Sequence, residues 1–254
     1  MQAGRDPVIG VIPARYGSSR FPGKVLARWR GRTLLEHVYR LAASVPDLDQ
    51  LWIAADDERV FKEARSLGAN VRMTSREHAS GTDRVGEIVR SLDPPPFGVV
   101  NIQADEPVLA PDAISAVARA LQEDDVEIAT LAHPLEDRRE AMRPDVVKVV
   151  VGARGRALYF SRSLIPHDRA GWNGTVAVLR HVGLYGFRRE ALFRFIRSSP
   201  SPLETAEGLE QLRALEAGWP IRVVVGPWRG FSVDTPDDLE RLEQRVEPPR
   251  GKED

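Results

Sequence analysis

The stretch that decides the fold is VIGVIPARYGSSRFPGK, Val8 to Lys24. Val8, Ile9, Val11 and Ile12 make a β-branched run closed by Pro13, which reads as a buried strand over 8–13. Beyond it the chain turns into a loop of glycine, serine and cations. The same change of rhythm recurs downstream. Short apolar runs at 51–55, 71–73, 99–102 and 126–131 read as further strands. Segments of helical period fall between them at 33–41, 57–67, 82–92 and 112–121. Their ends carry local signals: Thr33-x-x-Glu36 is a capping-box spacing, Gly68 a C-terminal stop, Pro94 to Pro96 a breaker and Pro111 a helix start. Strand and helix alternating in this way predict an α/β fold with a parallel sheet covered on both faces. After about residue 135 the pattern loosens. Strands are expected at 146–151, 182–187 and 221–225, helices at 203–217 and 237–245, and a loop or hairpin at 167–177, so the sheet becomes mixed.

Composition narrows the function. The 254 residues are 42% hydrophobic and 29% charged, which fits a globular chain with a sizeable core. There is no cysteine, which excludes disulfides, thiolate zinc sites, iron–sulfur clusters and cysteine nucleophiles. A net charge of -1 from 36 basic and 37 acidic residues argues against nucleic acid or anionic membrane as partner. Apolar runs are broken too early to span a bilayer, and no secretory apolar segment follows the N-terminus, so a cytoplasmic location is expected. Four lysines stand against 32 arginines, so a lysine inside a motif draws notice.

In open α/β sheets ligands bind outside the carboxyl ends of the strands, which directs attention to the loop after 8–13. Gly17, Ser18, Ser19 and Gly23 leave backbone N–H groups free to approach an anion, and Arg15, Arg20 and Lys24 supply three cations. That combination suits a polyphosphate. It is not a P-loop, because five residues separate Gly17 from Gly23 and Val25 follows the lysine. Nor does it contain G-x-G-x-x-G.

Two acidic motifs and one small-residue motif complete the candidate site. The strand at 99–102 runs into Gln103-Ala104-Asp105-Glu106-Pro107, and carboxylates at a strand end must be hydrated, paired or bound to metal. Asp105 is held in the way Mg2+ favours. In Phe231-Ser232-Val233-Asp234-Thr235-Pro236-Asp237-Asp238, Thr235 and Pro236 suit a helix start and the last two aspartates its first turn. Asp234 precedes the cap, and spacing alone leaves it open between ligand and structural group. His78-Ala79-Ser80-Gly81-Thr82-Asp83-Arg84 feeds a helix with hydroxyls and amides, although capping by Thr82 explains part of it.

Pro13-Ala14-Arg15 followed by Ser18-x-Arg20-x-Pro22-Gly23-Lys24 resembles the signature of the sugar nucleotidyltransferases, and within them the acid-sugar cytidylyltransferases. The resemblance extends from Val8 to about Val246. It implies a Rossmann-like, GT-A type three-layer fold with a mixed, mostly parallel sheet. One domain over 1–246 would hold a CTP-binding half at about 8–135, a sugar-acid and dimerisation elaboration at 136–225 and a closing metal motif at 231–246, with a flexible tail at 247–254. The implied reaction joins CTP to 3-deoxy-manno-octulosonate (KDO), giving CMP-KDO and pyrophosphate for lipopolysaccharide synthesis. The alternative substrate is another acid, such as 8-amino-KDO, a sialic acid or a phosphonate. Mg2+ on Asp105 and Asp234 and a homodimer are further implications.

By the same resemblance, Ala14, Arg15, Arg20, Lys24, Ser80, Gly81, Thr82 and Gln103 meet CTP, with Arg15 and Lys24 also catalytic. The sugar acid falls to Gln103, Arg162, His181, Tyr185, Glu204 and Gln211. Arg162 has the planar fork that matches a carboxylate. On spacing alone His181 and Tyr185 read equally as structural residues, and Ser201 with Glu204 is also a capping-box pair. Glu207 and Glu210 share the helical interval with Gln211, and Arg76 and Arg84 read as salt-bridge residues. Val25, Ala104 and Phe187 depart from the family's usual proline, glycine and tyrosine. Ala104 requires an ordinary backbone φ at its turn.

Overall fold

A computed structural model describes residues 5–18, 20–172 and 176–245. Strand β1 (Val8–Ala14) lies inside the sheet, and its side chains alternate as a doubly covered strand requires. Val8, Ile12 and Ala14 join one apolar layer, while Ile9 and Val11 join the other. The first layer is closed by α1 (Leu34–Ala43), α2 (Glu58–Ser66) and α4 (Pro111–Ala120), the second by α3 (Gly81–Arg90) and α6 (Arg189–Arg197).

The remaining strands of the first half are β4 (Gln50–Ala55), β5 (Asn70–Met73) and β6 (Gly98–Asn101), with a small ribbon of β2 (Arg28–Trp29) and β3 (Arg32–Thr33). The second half contributes β7 (Ile128–Pro134), β8 (Lys148–Val151), β9 (Ala157–Ser161), β10 (Leu179–Arg188) and β11 (Ile221–Val225). The main sheet has the order β11-β7-β10-β6-β1-β4-β5, and β8 with β9 extends from β10 as an arm. β1 pairs in parallel with both β4 and β6, and β7 with β11, whereas β10 runs antiparallel between β6 and β7. The sheet is therefore mixed and mostly parallel in its first half, as expected. Because β4 and β6 flank β1 on opposite sides, a crevice opens beyond the carboxyl end of β1.

Helix ends follow the local signals. Thr33 accepts from Glu36 N–H, Asp57 from Arg59 N–H, and Gly68 follows α2 at φ +74°. The single helix expected over 203–217 is instead two, α7 (Pro202–Glu207) and α8 (Leu212–Glu216). Gly208, at φ +62°, closes the first in the left-handed conformation that favours glycine, so helical periodicity on either side cannot continue through it. The strands β9 and the early part of β10, the short helix α5 (Arg138–Ala141) and α6 were not anticipated. Segments 167–172 and 176–178 carry no regular structure, in line with the expected loop. The tail at 247–254 and Ser19 lie outside the described residues. The last helix, α9 (Pro236–Arg245), begins directly after the Asp234 motif.

Candidate active site

The loop after β1 is folded back on itself before it delivers its lysine. Gly23 N–H donates to Tyr16 O at 2.8 Å, and Tyr16 N–H to Asp56 at 2.8 Å. Gly23 has φ +72°, and a Cβ there would stand 2.9 Å from the Tyr16 ring. That ring is covered on one face by the Arg59 guanidinium, 3.4 Å from its centroid. A glycine is therefore required twice over, by conformation and by space. Lys24 follows at once, with Val25 buried beside it.

Lys24 reaches into the crevice and places Nζ 2.5 Å from Asp105 Oδ2 and 2.9 Å from Asp234 Oδ1. Asp105 is carried there by the end of β6, where Ile102 N–H still donates to Val11 O. Asp234 comes from the far end of the chain, and the tie is made by backbone: Val233 N–H donates to Asp105 O at 2.9 Å. Thr235 caps α9 by accepting from Asp238 N–H, while the Asp238 carboxylate accepts in return from Thr235 and from Asp234 N–H. Asp238 is thereby used in capping, and Asp234, which spacing alone left open, lines the cleft. Exposed Arg20 pairs with Asp234 at 3.0 Å. Burial alone would lower the Lys24 pKa, but Asp105 and Asp234 outweigh it and the value is raised. Burial would raise Asp234, but hydrogen bonding and charge from Lys24, then Arg20, hold it below the usual carboxylate range.

Lys24, Asp105 and Asp234 form one end of a cleft of about 320 Å³ that continues past Arg15, Gln103 and Ala104 to His78, Ser80 and Gly81; Arg20 lies outside its lining. Among the described residues Arg15 makes no ion pair. Ser80 caps α3 in a full capping box with Asp83, and Thr82 Oγ1 donates to Glu210 Oε2 at 3.0 Å. Gln103 Nε2 donates to Asn101 at 3.1 Å. Ala14 is fully buried with its methyl in the core, so it can offer only backbone to a ligand. Ala104 is absent from the non-glycine residues with positive φ, Arg30 and Arg154, as its identity demands. Arg84 is buried against Thr74, Ser75 O and Asp56, and Arg76 pairs with Asp57 at 3.2 Å, so both are the salt-bridge residues expected.

The residues expected at the sugar acid divide. Tyr185 and Gln211 line a small apolar pocket that shares Thr82 and Glu210 with the surroundings of the cleft, and Tyr185 Oη and Gln211 Nε2 are both buried without a partner. Burial raises the Tyr185 phenol well above its ordinary value. His181 lies behind them, bonded to Thr130 Oγ1 at 3.0 Å and packed against Phe160 and Tyr185; burial and then Arg180 push its pKa down to about 3.

Two of the residues expected at the sugar acid line neither the cleft nor the apolar pocket. Arg162 does not line the cleft: its Nε donates to Glu207 O at 2.6 Å, Nη1 to Pro144 O at 3.1 Å and Nη2 to Gly208 O at 3.3 Å. Glu204 is likewise committed, bound by Arg213 on both oxygens and by Ser201 N–H in the capping box. Arg162 is engaged by carbonyls distant in sequence, Glu204 by neighbours nine and three positions away. Glu210 is the residue to which the sequence reading assigned no role. Burial raises its pKa, the Thr82 hydrogen bond opposes this, and it lines both the cleft and the apolar pocket. Its signal was its place one residue before Gln211.

A cytidylyltransferase family model matches residues 9–223. The chain is 48% identical over 236 residues to the 3-deoxy-manno-octulosonate cytidylyltransferase of Solibacter usitatus, covering 92% of each chain. It is 50% identical over 231 residues to the enzyme of the same name from Anaeromyxobacter dehalogenans, covering 91% of this chain and 94% of that one. Among solved structures it is similar to a CMP:2-keto-3-deoxy-manno-octonic acid synthetase complexed with CTP, with a TM-score of 0.88, 38% identity and coverage of 94% and 98%. A 4-diphosphocytidyl-2C-methyl-D-erythritol synthase from Anaerococcus prevotii shares the fold alone, at 16% identity and a TM-score of 0.63.

Proposed function

The chain belongs to the cytidylyltransferase family, and from that premise we propose that it transfers CMP from CTP to KDO and releases pyrophosphate. The observation that supports this most directly is the meeting of Lys24, Asp105 and Asp234 at one end of the cleft. The reaction joins two anions, so its barrier is dominated by charge and alignment. A site that gathers cations and paired carboxylates at the end of a nucleotide-sized crevice answers that demand.

Both aspartate side chains already face one shared cation, the Lys24 ammonium, and hard carboxylate oxygens in this number suit Mg2+, which completes its shell from substrate phosphate and water. Asp105 and Asp234 are thus the residues that would hold the metal. When bound, Mg2+ supplies neutralisation of phosphate charge and lowers the proton affinity of a coordinated hydroxyl. Lys24, Arg15 and Arg20 bind and orient the triphosphate. Ser80 and Gly81, together with Gln103, form the wall that receives the cytidine, and Thr82 supports it from the side of the apolar pocket through Glu210. Tyr185 and Gln211 offer the sugar acid two buried polar atoms that have no protein partner, with Glu210 between them and the nucleotide. No side chain is assigned as general base.

The protein works as a homodimer in the cytoplasm under this reading, and no helix among the described residues is long and apolar enough to cross a membrane. The test is pyrophosphate release from CTP against a panel of acids: KDO, 8-amino-KDO, a sialic acid and a phosphonate, with and without Mg2+. Turnover with KDO that requires Mg2+ is expected, and turnover only with another acid would replace KDO as substrate. Sedimentation in solution tests the dimer.

A further inference from the structure

We infer that Arg162, braced by Lys148, is a positioning residue that sets the α7–α8 corner carrying Glu210 and Gln211 and thereby governs affinity for the sugar acid. The inference rests on the reading of that pocket as the sugar-acid site.

Lys148 is wholly buried at the start of β8 and is the one lysine of the second half among the described residues. Its ammonium faces no carboxylate in hydrogen-bond range. It donates instead to three backbone carbonyls, Arg143 O at 3.0 Å, Val146 O at 2.6 Å and Arg162 O at 2.5 Å. Burying an ammonium is costly unless all its donors are met, and here the three N–H bonds are spent on fixing one loop against the end of β9. Arg162 is thus held from behind. In front, its fork grips the carbonyls of Glu207 and Gly208, at the carboxyl end of α7 where unpaired carbonyls collect. Glu207 returns the grip, accepting from Ser161 Oγ at 2.6 Å and from Arg162 N–H at 2.9 Å.

The corner so clamped turns at Gly208, and two and three residues later stand Glu210 and Gln211. Neither Arg162 nor Lys148 reaches the cleft or the apolar pocket. Their influence on substrate must pass through the backbone of 207–211. The Glu204–Arg213 pair ties α7 to α8 across this corner from within, and the Arg162 guanidinium, bonded to two successive carbonyls and to Pro144 O, fixes the corner against β9 and the loop before β8.

The experiment uses Arg162→Lys and Lys148→Met. Lysine keeps the charge but cannot span both carbonyls, and methionine keeps most of the volume of Lys148. For both variants KM for KDO is expected to rise by between about tenfold and 100-fold, the scale of a small misplacement of binding groups, with KM for CTP unchanged. Thermal melting and CTP binding report folding. The C1 amide of KDO separates positioning from direct recognition, because the Arg162→Lys penalty should persist with it. Adding Gln211→Ala should cost less in Arg162→Lys than in the parent enzyme. An unchanged KM for KDO in both variants overturns the inference, as does a penalty that vanishes with the amide. A parent enzyme that fails to release pyrophosphate from CTP and KDO would instead remove the functional reading, and this is seen before any variant is compared.

Discussion

The ammonium of Lys24 stands 2.5 Å from the carboxylate of Asp105, across 81 positions of sequence, and it is the same ammonium that draws in Asp234. One lysine therefore organises two acidic groups that would otherwise repel each other in a partly buried site.

Lys24→Ala removes this cation without disturbing a core contact. Turnover should fall by about 100-fold or more, the scale seen when a charge-stabilising donor is lost. An unchanged kcat in a pyrophosphate-release assay would exclude Lys24 from the chemistry.

Asp105→Asn keeps size and hydrogen bonding but halves the carboxylate pair. Magnesium-dependent turnover should drop by at least about 100-fold while the melting temperature in metal-free buffer stays near that of the parent. Titration of Mg2+ by calorimetry should show binding weakened in the same variant.

Gly23→Ala touches no charge, yet it places a methyl group against Tyr16 and forces an L-residue to φ +72°. The local strain is about 1–2 kcal/mol, and relief of it moves Lys24. Turnover should fall by between about tenfold and 100-fold. Full activity would mean that the loop adapts without moving its lysine.

His181 should remain neutral far below the range of an ordinary imidazole, since burial, then Arg180, lowers its pKa to about 3. Its folded value lies beneath its unfolded value of 6.5, so the unfolded chain takes up the proton first. The contribution of His181 to stability is present above pH 6.5 and is lost as pH falls toward 3. Imidazole NMR signals followed from pH 7 to 4.5 should show no titration of His181. A midpoint near 6.5 would contradict its burial.

Glu204 is held by Arg213 against the opposing effect of burial, and its pKa is lowered. The pair is largely enclosed, so Glu204→Gln leaves Arg213 without its counter-charge and costs about 3 kcal/mol. The melting temperature should drop by roughly 6–12 °C, and a rise in KM for KDO should come only together with that drop, because the pair joins α7 to α8. A normal melting temperature with a raised KM would return Glu204 to the substrate.

Much of the site was legible before any coordinates. The cations at 15, 20 and 24 lie in one loop after one strand, and the QADEP motif ends another, so short spacing and a rule about strand ends were sufficient to single them out. The helix cap at Thr33 followed from Glu36 three residues on, whereas the capping expected of Thr82 is done two residues earlier by Ser80. The break at Gly208 was missed because helical period on both sides conceals a single left-handed residue.

By itself the sequence determined the alternation of strand and helix, the absence of cysteine chemistry and the clustering of cations in the first loop, all set by groups close along the chain. Only the tertiary structure decided which charged side chains remain available. Asp234 is brought to Lys24 from 210 positions away, whereas Arg162 is spent on carbonyls of 207 and 208 and Glu204 on Arg213. An arginine or glutamate has the same chemistry in every context, and whether it meets a substrate depends on which donors and acceptors folding has already placed against it.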